Sequence, residues 1–225
     1  LDARTLVGRA AVVYDPANGT VLFAKNADAS LPLASLTKLM TATVVLEHAT
    51  SDTEVTIVAS DLAPEGNWGL QLGDTLSLSS LLKMSLIASS NDAMQAAARA
   101  AGDYTMLMNR EARDRGYTSM RFFNSTGLDE STTTAGAYGS AYDVARLAYA
   151  FFKSYPEYFD LTTHAQSISI EVGGRTLEAK ATAVPLGALP GVIAAKTGYT
   201  DLAGGNLVVV FDAGIGHPLV AAVLG

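Results

Sequence analysis

The chain has 225 residues, enough for one large domain or for two lobes with ample core. Its composition, 49% hydrophobic and 16% charged with a net charge of -7, is that of a soluble globular protein. The lack of any Lys/Arg cluster argues against nucleic-acid binding, and no uncharged apolar run reaches the length of a membrane span. The absence of cysteine fits an exported protein, and a start at Leu1 without an initiator Met or signal sequence fits a mature or trimmed form.

The first predicted element is a β-hairpin, with strands over 10–15 and 20–25 joined by a turn that carries Asn18-Gly19. After Leu31 and Pro32 comes an apolar helix, 36–46, in which Lys38 is the only charged residue. Helical spacing of apolar residues then predicts helices over 78–88, 91–101, 104–115 and 140–153. The last has a capping-box pattern, Ser140 with Asp143 three residues on. Strands return over 167–172 and 175–180 around Gly173-Gly174, then over 192–196, 205–211 and 218–224. This layout predicts an α+β fold. One antiparallel sheet built from both chain ends with packed helices (1–59 with 166–225) carries an inserted helical lobe (60–165), and a pocket is expected in the cleft between them.

Three short strings stand in order along the chain: Ser35-Leu36-Thr37-Lys38, Ser89-Ser90-Asn91 and Lys196-Thr197-Gly198. Each is weak alone, but each lies in a charge-free stretch. Lys38 is the only ionisable residue between Asp28 and Glu47, Lys196 the only charge between Lys180 and Asp201, and no charge separates Lys83 from Asp92. A helix as apolar around its girth as the one carrying Lys38 is buried, and a lysine there is costly without work or a partner. Convergence of the three strings on one partly buried pocket explains all three windows.

The residue types fit one chemistry. Residues three apart share a helix face, so Ser35 and Lys38 can meet, and a neutral lysine can take the proton that makes a hydroxyl nucleophilic. Burial and a second positive charge, which Lys196 could supply, lower a lysine pKa toward that role. The Ser35 N–H at the helix start suits half of an oxyanion hole. Ser89 adds a hydroxyl able to relay a proton, and Asn91 an amide able to bind substrate amides. Lys196 adds a cation for a carboxylate, Thr197 a hydroxyl, and Gly198 a place where a ligand can lie close to the strand. Acyl transfer through a serine ester, on a peptide with a free carboxylate end, uses every one of these groups.

The strings are those of penicillin-binding proteins and class A β-lactamases. The wider segments 32–42, 90–93, 123–130 and 196–205 make the chain resemble the low-molecular-mass serine D-alanyl-D-alanine carboxypeptidases, peptidase family S11, over nearly its whole length. The resemblance implies a β-lactamase/transpeptidase-like fold, with Ser35 as acylated nucleophile, Lys38 as general base and Ser89 as proton relay. It implies Asn91, Lys196, Thr197 and Gly198 as substrate-binding residues, and the N–H groups of Ser35 and Tyr199 as oxyanion hole. The implied partners are a peptidoglycan stem peptide ending in D-Ala-D-Ala and β-lactams as covalent inhibitors, outside the cytoplasm, with no cofactor. A D,D-endopeptidase on the same site, a class A-like β-lactamase and a non-catalytic peptidoglycan-binding relic are the alternatives. Ser90 stands where class A β-lactamases have Asp, and no E-x-x-L-N segment is present, which argues against efficient β-lactam hydrolysis. Many members continue into a second β-rich domain and a membrane anchor. Attachment is undecided from a chain ending at Gly225.

Several residues have plainer readings. Ser80-Leu81-Leu82-Lys83 is a second S-x-x-K, whose neighbours Leu78 and Leu86 suit an ordinary packed helix. Ser89 and Asn91 are also placed to end one helix and cap the next. His48, His164 and His217 lack ligand spacing, so no metal is expected. Asp129 and Glu130 follow Gly127 as loop residues, and Trp68 either lines the cleft or covers core.

Overall fold

A computed structural model describes residues 5–214 and 216–225, with Val184 described by its backbone alone. The strands in chain order are β1 (Ala10–Asp15), β2 (Thr20–Lys25), β3 (Leu31–Pro32), β4 (Glu54–Thr56), β5 (Thr75–Ser77), β6 (Arg121–Phe122), β7 (Ala137–Gly139), β8 (Ser167–Val172), β9 (Arg175–Lys180), β10 (Val192–Thr200), β11 (Gly204–Asp212) and β12 (Pro218–Leu224). The longer helices are α1 (Thr37–His48), α2 (Leu78–Ile87), α3 (Asn91–Ala100), α4 (Tyr104–Asp114) and α5 (Ala141–Ser154).

The main sheet is antiparallel and joins both chain ends, in the order β10-β11-β12-β1-β2. The β1–β2 hairpin turns where the sequence predicts. Asp15 Oδ1 accepts from the Ala17 N–H and Asn18 Oδ1 from the Thr20 N–H, both at 3.0 Å, and Gly19 takes φ +73. α5 lies against β1, β11 and β12 and covers their apolar face. Its Ser140 cap accepts from the Asp143 N–H at 3.1 Å. The expected reciprocal half of that box is absent: the Asp143 carboxylate takes the Ser119 hydroxyl and N–H instead, and Ser119 Oγ serves the Ser140 N–H. Strands β8 and β9 also depart from the expected single sheet. They pair only with each other, next to α2.

The uniform apolarity of α1 follows from its place. Residues 37–45 are all buried, because α2, α3, α4 and α5 each lie against this helix. Trp68 packs half-buried against this core.

Candidate active site

Ser35 sits in a 3-10 turn, Ala34–Leu36, that runs directly into α1. The turn is entered through Ala34 at φ +48, a left-handed conformation that costs an L-residue about 1–2 kcal/mol. One turn later Lys38 Nζ donates to Ser35 Oγ at 2.8 Å, to Asn91 Oδ1 at 2.6 Å and to the Thr126 carbonyl at 3.1 Å. Lys38 is wholly buried. Burial is the main cause that pulls its amine well below the usual lysine value. Lys196 adds to the shift, and the Asp92 carboxylate opposes it.

The second string occupies the corner between α2 and α3. Ser90, not Ser89 or Asn91, caps α3, its hydroxyl accepting from the Ala93 N–H at 3.2 Å. That division of labour corrects the sequence expectation and leaves the side chains of Ser89 and Asn91 to meet Lys196 and Lys38. Ser89 pays for the corner with φ +60 and accepts from Lys196 Nζ at 2.9 Å. Asn91 Nδ2, expected to meet substrate, donates here to the Glu65 carbonyl at 2.6 Å. Asp92, fully buried, accepts from Ser90 Oγ, and from the Trp68 N–H at 3.0 Å, so it fixes both the corner and the segment that supplies Glu65.

The third string is on β10. Lys196 is wholly buried, and burial brings its pKa down to about 7. Thr197 Oγ1 donates to Thr182 Oγ1 at 2.9 Å. Gly198 has a second reason to lack a side chain. A Cβ there would lie 3.0 Å from the Ser35 nitrogen and 3.2 Å from Ala34 Cβ, so glycine lets β10 press against the serine turn. Asn206, paired with Gly198 across the hairpin, donates to the Pro32 carbonyl at 2.9 Å and ties that hairpin to the same turn. Tyr199, next along, is exposed beside a cavity of about 710 Å³ that Glu65, Leu128, Asp129, Thr200 and Leu202 also line.

All three strings therefore converge. A lysine amine within hydrogen-bond reach of a half-buried hydroxyl can take its proton, and a second lysine–hydroxyl pair, Lys196 with Ser89, stands beside it. The other S-x-x-K does not join them: Ser80 Oγ lies 3.0 Å from Ser77 Oγ at the capped start of α2. The histidines are engaged elsewhere, His48 with the Val44 carbonyl, His164 with Asp160 and His217 with Asp15. Sequence reasoning missed the Thr126, Glu65 and Thr182 contacts. Only Thr126 lay in a segment singled out beforehand.

The sequence matches the D-alanyl-D-alanine carboxypeptidase family, Peptidase S11, over residues 2–225. The chain belongs to this family. Among its relatives are the D-alanyl-D-alanine carboxypeptidase DacC of Escherichia coli (strain K12), 35% identical over 70% of this chain and 42% of that one, and the D-alanyl-D-alanine endopeptidase of Haemophilus influenzae, 32% identical over 88% and 68%. The chain spans about half the length of the first curated relatives it matches, 51% for DacF of Bacillus subtilis. Among solved structures, the D-alanyl-D-alanine carboxypeptidase of Mycobacterium tuberculosis H37Rv superposes with a TM-score of 0.88 at 26% identity, over 97% of this chain and 82% of that one. Penicillin-binding protein D2 of Listeria monocytogenes, in its ampicillin-bound form, gives 0.81 at 29% identity, over 97% and 89%. These family neighbours share the α+β architecture with its sheet from both chain ends.

Proposed function

We propose that this chain is a serine D-Ala-D-Ala carboxypeptidase that removes the terminal D-alanine of peptidoglycan stem peptides outside the cytoplasm, and that β-lactams acylate it at the same serine. The observation that carries the reading is the buried Lys38 amine, 2.8 Å from Ser35 Oγ with its pKa lowered. Lys38 takes the Ser35 proton as Oγ bonds to the carbonyl carbon of the penultimate residue. The N–H groups of Ser35 and Tyr199 receive the oxyanion, and Lys196 with Thr197 holds the terminal carboxylate. Collapse breaks the C–N bond, and the departing amine takes a proton relayed through Ser89. Water then hydrolyses the Ser35 ester. Asn91 exchanges the Glu65 carbonyl for a substrate amide carbonyl. The cleft lies between a sheet lobe (1–59 with 166–225) and a helical lobe (60–165).

Incubation with benzylpenicillin is expected to add one drug mass, and Ser35→Ala to abolish the adduct. An adduct that persists in that variant, or maps to Ser80, refutes the assignment. The Haemophilus influenzae relative favours a second reading, a D,D-endopeptidase on the same residues. Cross-linked muropeptides separate the two, since a carboxypeptidase releases free D-alanine and an endopeptidase yields monomers.

A further inference from the structure

The loop 123–130 touches the site at three points, and its last contact has no part in the chemistry above. Asn124 stiffens the loop from within, accepting from the Gly127 N–H at 2.7 Å and donating to the Leu128 carbonyl at 2.9 Å. The Thr126 carbonyl receives Lys38, and Gly127 lies against the Ala34 carbonyl just before Ser35. Asp129 then reaches across to the β10–β11 hairpin, where Oδ1 accepts from Thr200 Oγ1 at 3.0 Å and Oδ2 from the Leu202 N–H at 3.2 Å. Thr200 Oγ1 in turn accepts from the Ala203 N–H at 3.2 Å, so one carboxylate fixes the whole tip of the hairpin. Tyr199 is the residue immediately before that tip. One rigid loop thus holds the base, the nucleophile's turn and the strand end together.

We propose that Asp129 is a positioning residue for acyl transfer, its carboxylate clamping the β10–β11 tip so that the Tyr199 N–H stays aligned with the Ser35 N–H. This rests on the oxyanion-hole reading of the previous subsection. Two hydrogen bonds from different residues onto both oxygens of one carboxylate define a direction as well as a distance, which a single bond does not. An oxyanion hole needs that definition, because a displacement of about 1 Å can cost about 100-fold in rate.

The test uses the full chain with Asp129→Asn, Thr200→Val, Thr200→Ser and the Asp129→Asn/Thr200→Val double variant. Three quantities are measured: acylation by benzylpenicillin, kcat and KM on a D-Ala-D-Ala peptide, and the infrared band of the acyl-enzyme ester carbonyl. Asp129→Asn is expected to lower the acylation rate and kcat by about 10- to 100-fold with KM within about twofold, since the lost group acts on the transition state. The carbonyl band is expected to shift to higher wavenumber as N–H donation weakens. Thr200→Val should give a similar loss, Thr200→Ser should restore most of it, and the double variant should be no worse than its worse parent. An Asp129→Asn protein with wild-type acylation rate and an unshifted band overturns the proposal, with Ser35 chemistry left standing. A raised KM with unchanged kcat overturns it differently, making Asp129 a substrate contact on the cavity wall. A slower variant with an unshifted band and a lowered melting temperature makes Asp129 structural only. Failure of the wild-type protein to be acylated at Ser35 overturns the functional reading and this proposal together.

Discussion

Lys196 makes a prediction about stability as well as catalysis. It is wholly buried with a pKa of about 7, while an unfolded lysine titrates near about 10.4. Between those values the unfolded chain carries a proton that the native chain lacks, so stability rises with pH by about 1.4 kcal/mol per unit. The sign is that of a depressed lysine: the penalty is full below about pH 7 and vanishes above the unfolded pKa. From pH 7.5 to 9.5, allowing for the fraction still protonated at the lower end, Lys196 contributes about 2–3 kcal/mol. Urea denaturation of wild type and Lys196→Met across this interval tests it: groups remote from Lys196 cancel, and Lys38, whose pKa Lys196 also lowers, changes the difference in the same direction. The wild type should gain about 2–3 kcal/mol on the variant as pH rises, a figure set by the one-proton linkage. Parallel stability curves for the two proteins would refute the reasoning, since they would mean that Lys196 binds its proton equally in both states.

Two further perturbations test the neighbouring groups. With Lys38 as neutral base, loss of its proton should give kcat/KM a rising limb below the pKa of free lysine, and loss of the Lys196 charge a falling limb through about 7. A profile flat from neutral to strongly alkaline pH contradicts both roles, and Lys38→Arg should be nearly inactive because arginine keeps its proton. Gly127→Ala would put a Cβ 1.9 Å from the Ala34 carbonyl oxygen and 2.6 Å from Thr37 Oγ1, at φ +83. Left-handed strain of about 1–2 kcal/mol and overpacking of about 1–3 kcal/mol should lower stability by about 2–5 kcal/mol in urea denaturation. The displaced serine turn should also slow acylation by about 100-fold. Wild-type values of both would show that the loop does not bear on the turn.

What the sequence disclosed about the site was the cost of its residues. A lysine alone in an apolar window is visible as an expense, and Lys38 and Lys196 are indeed wholly buried. Strand and helix positions were equally legible where the pattern is local: α3 begins at Asn91 and β12 spans Pro218–Leu224, within a residue or so of expectation. Partners distant in sequence were not legible. Nothing in the order of residues says that Asn91 meets the Glu65 carbonyl or that Asp143 prefers Ser119 to its own cap. Gly198 shows the same limit: the absence of a side chain was readable, but its neighbour, the Ser35 nitrogen, was not. The separate β8–β9 sheet was hidden because a hairpin pattern fixes a strand's nearest partner and leaves open whether a third strand joins.

The costly features are concentrated in one place. Among the described residues, the non-glycine positions with positive φ are Asn26, Ala34 and Ser89. Asparagine tolerates that conformation, but alanine and serine do not gain by it, and those two are the residue immediately before Ser35, the proposed nucleophile, and Ser89, the proposed relay. Strain of about 1–3 kcal/mol at such a position persists only where surrounding contacts over-determine it. Here those contacts can be named. Gly127 bears on the Ala34 carbonyl, Asn206 holds Pro32, and the Ser90 cap with Asp92 fixes the corner that contains Ser89. Two buried lysines and two left-handed residues within one pocket would be an unstable accident if each were held separately. They are held jointly: the loop touches Lys38 and the Ala34 turn, the β10–β11 hairpin carries Lys196 and presses on the same turn, and the helix cap fixes the corner that holds Ser89 against Lys196. Loosening any one brace should therefore disturb several catalytic groups at once, which is why Asp129 and Gly127, though neither is expected to touch substrate, should both act on the rate at Ser35.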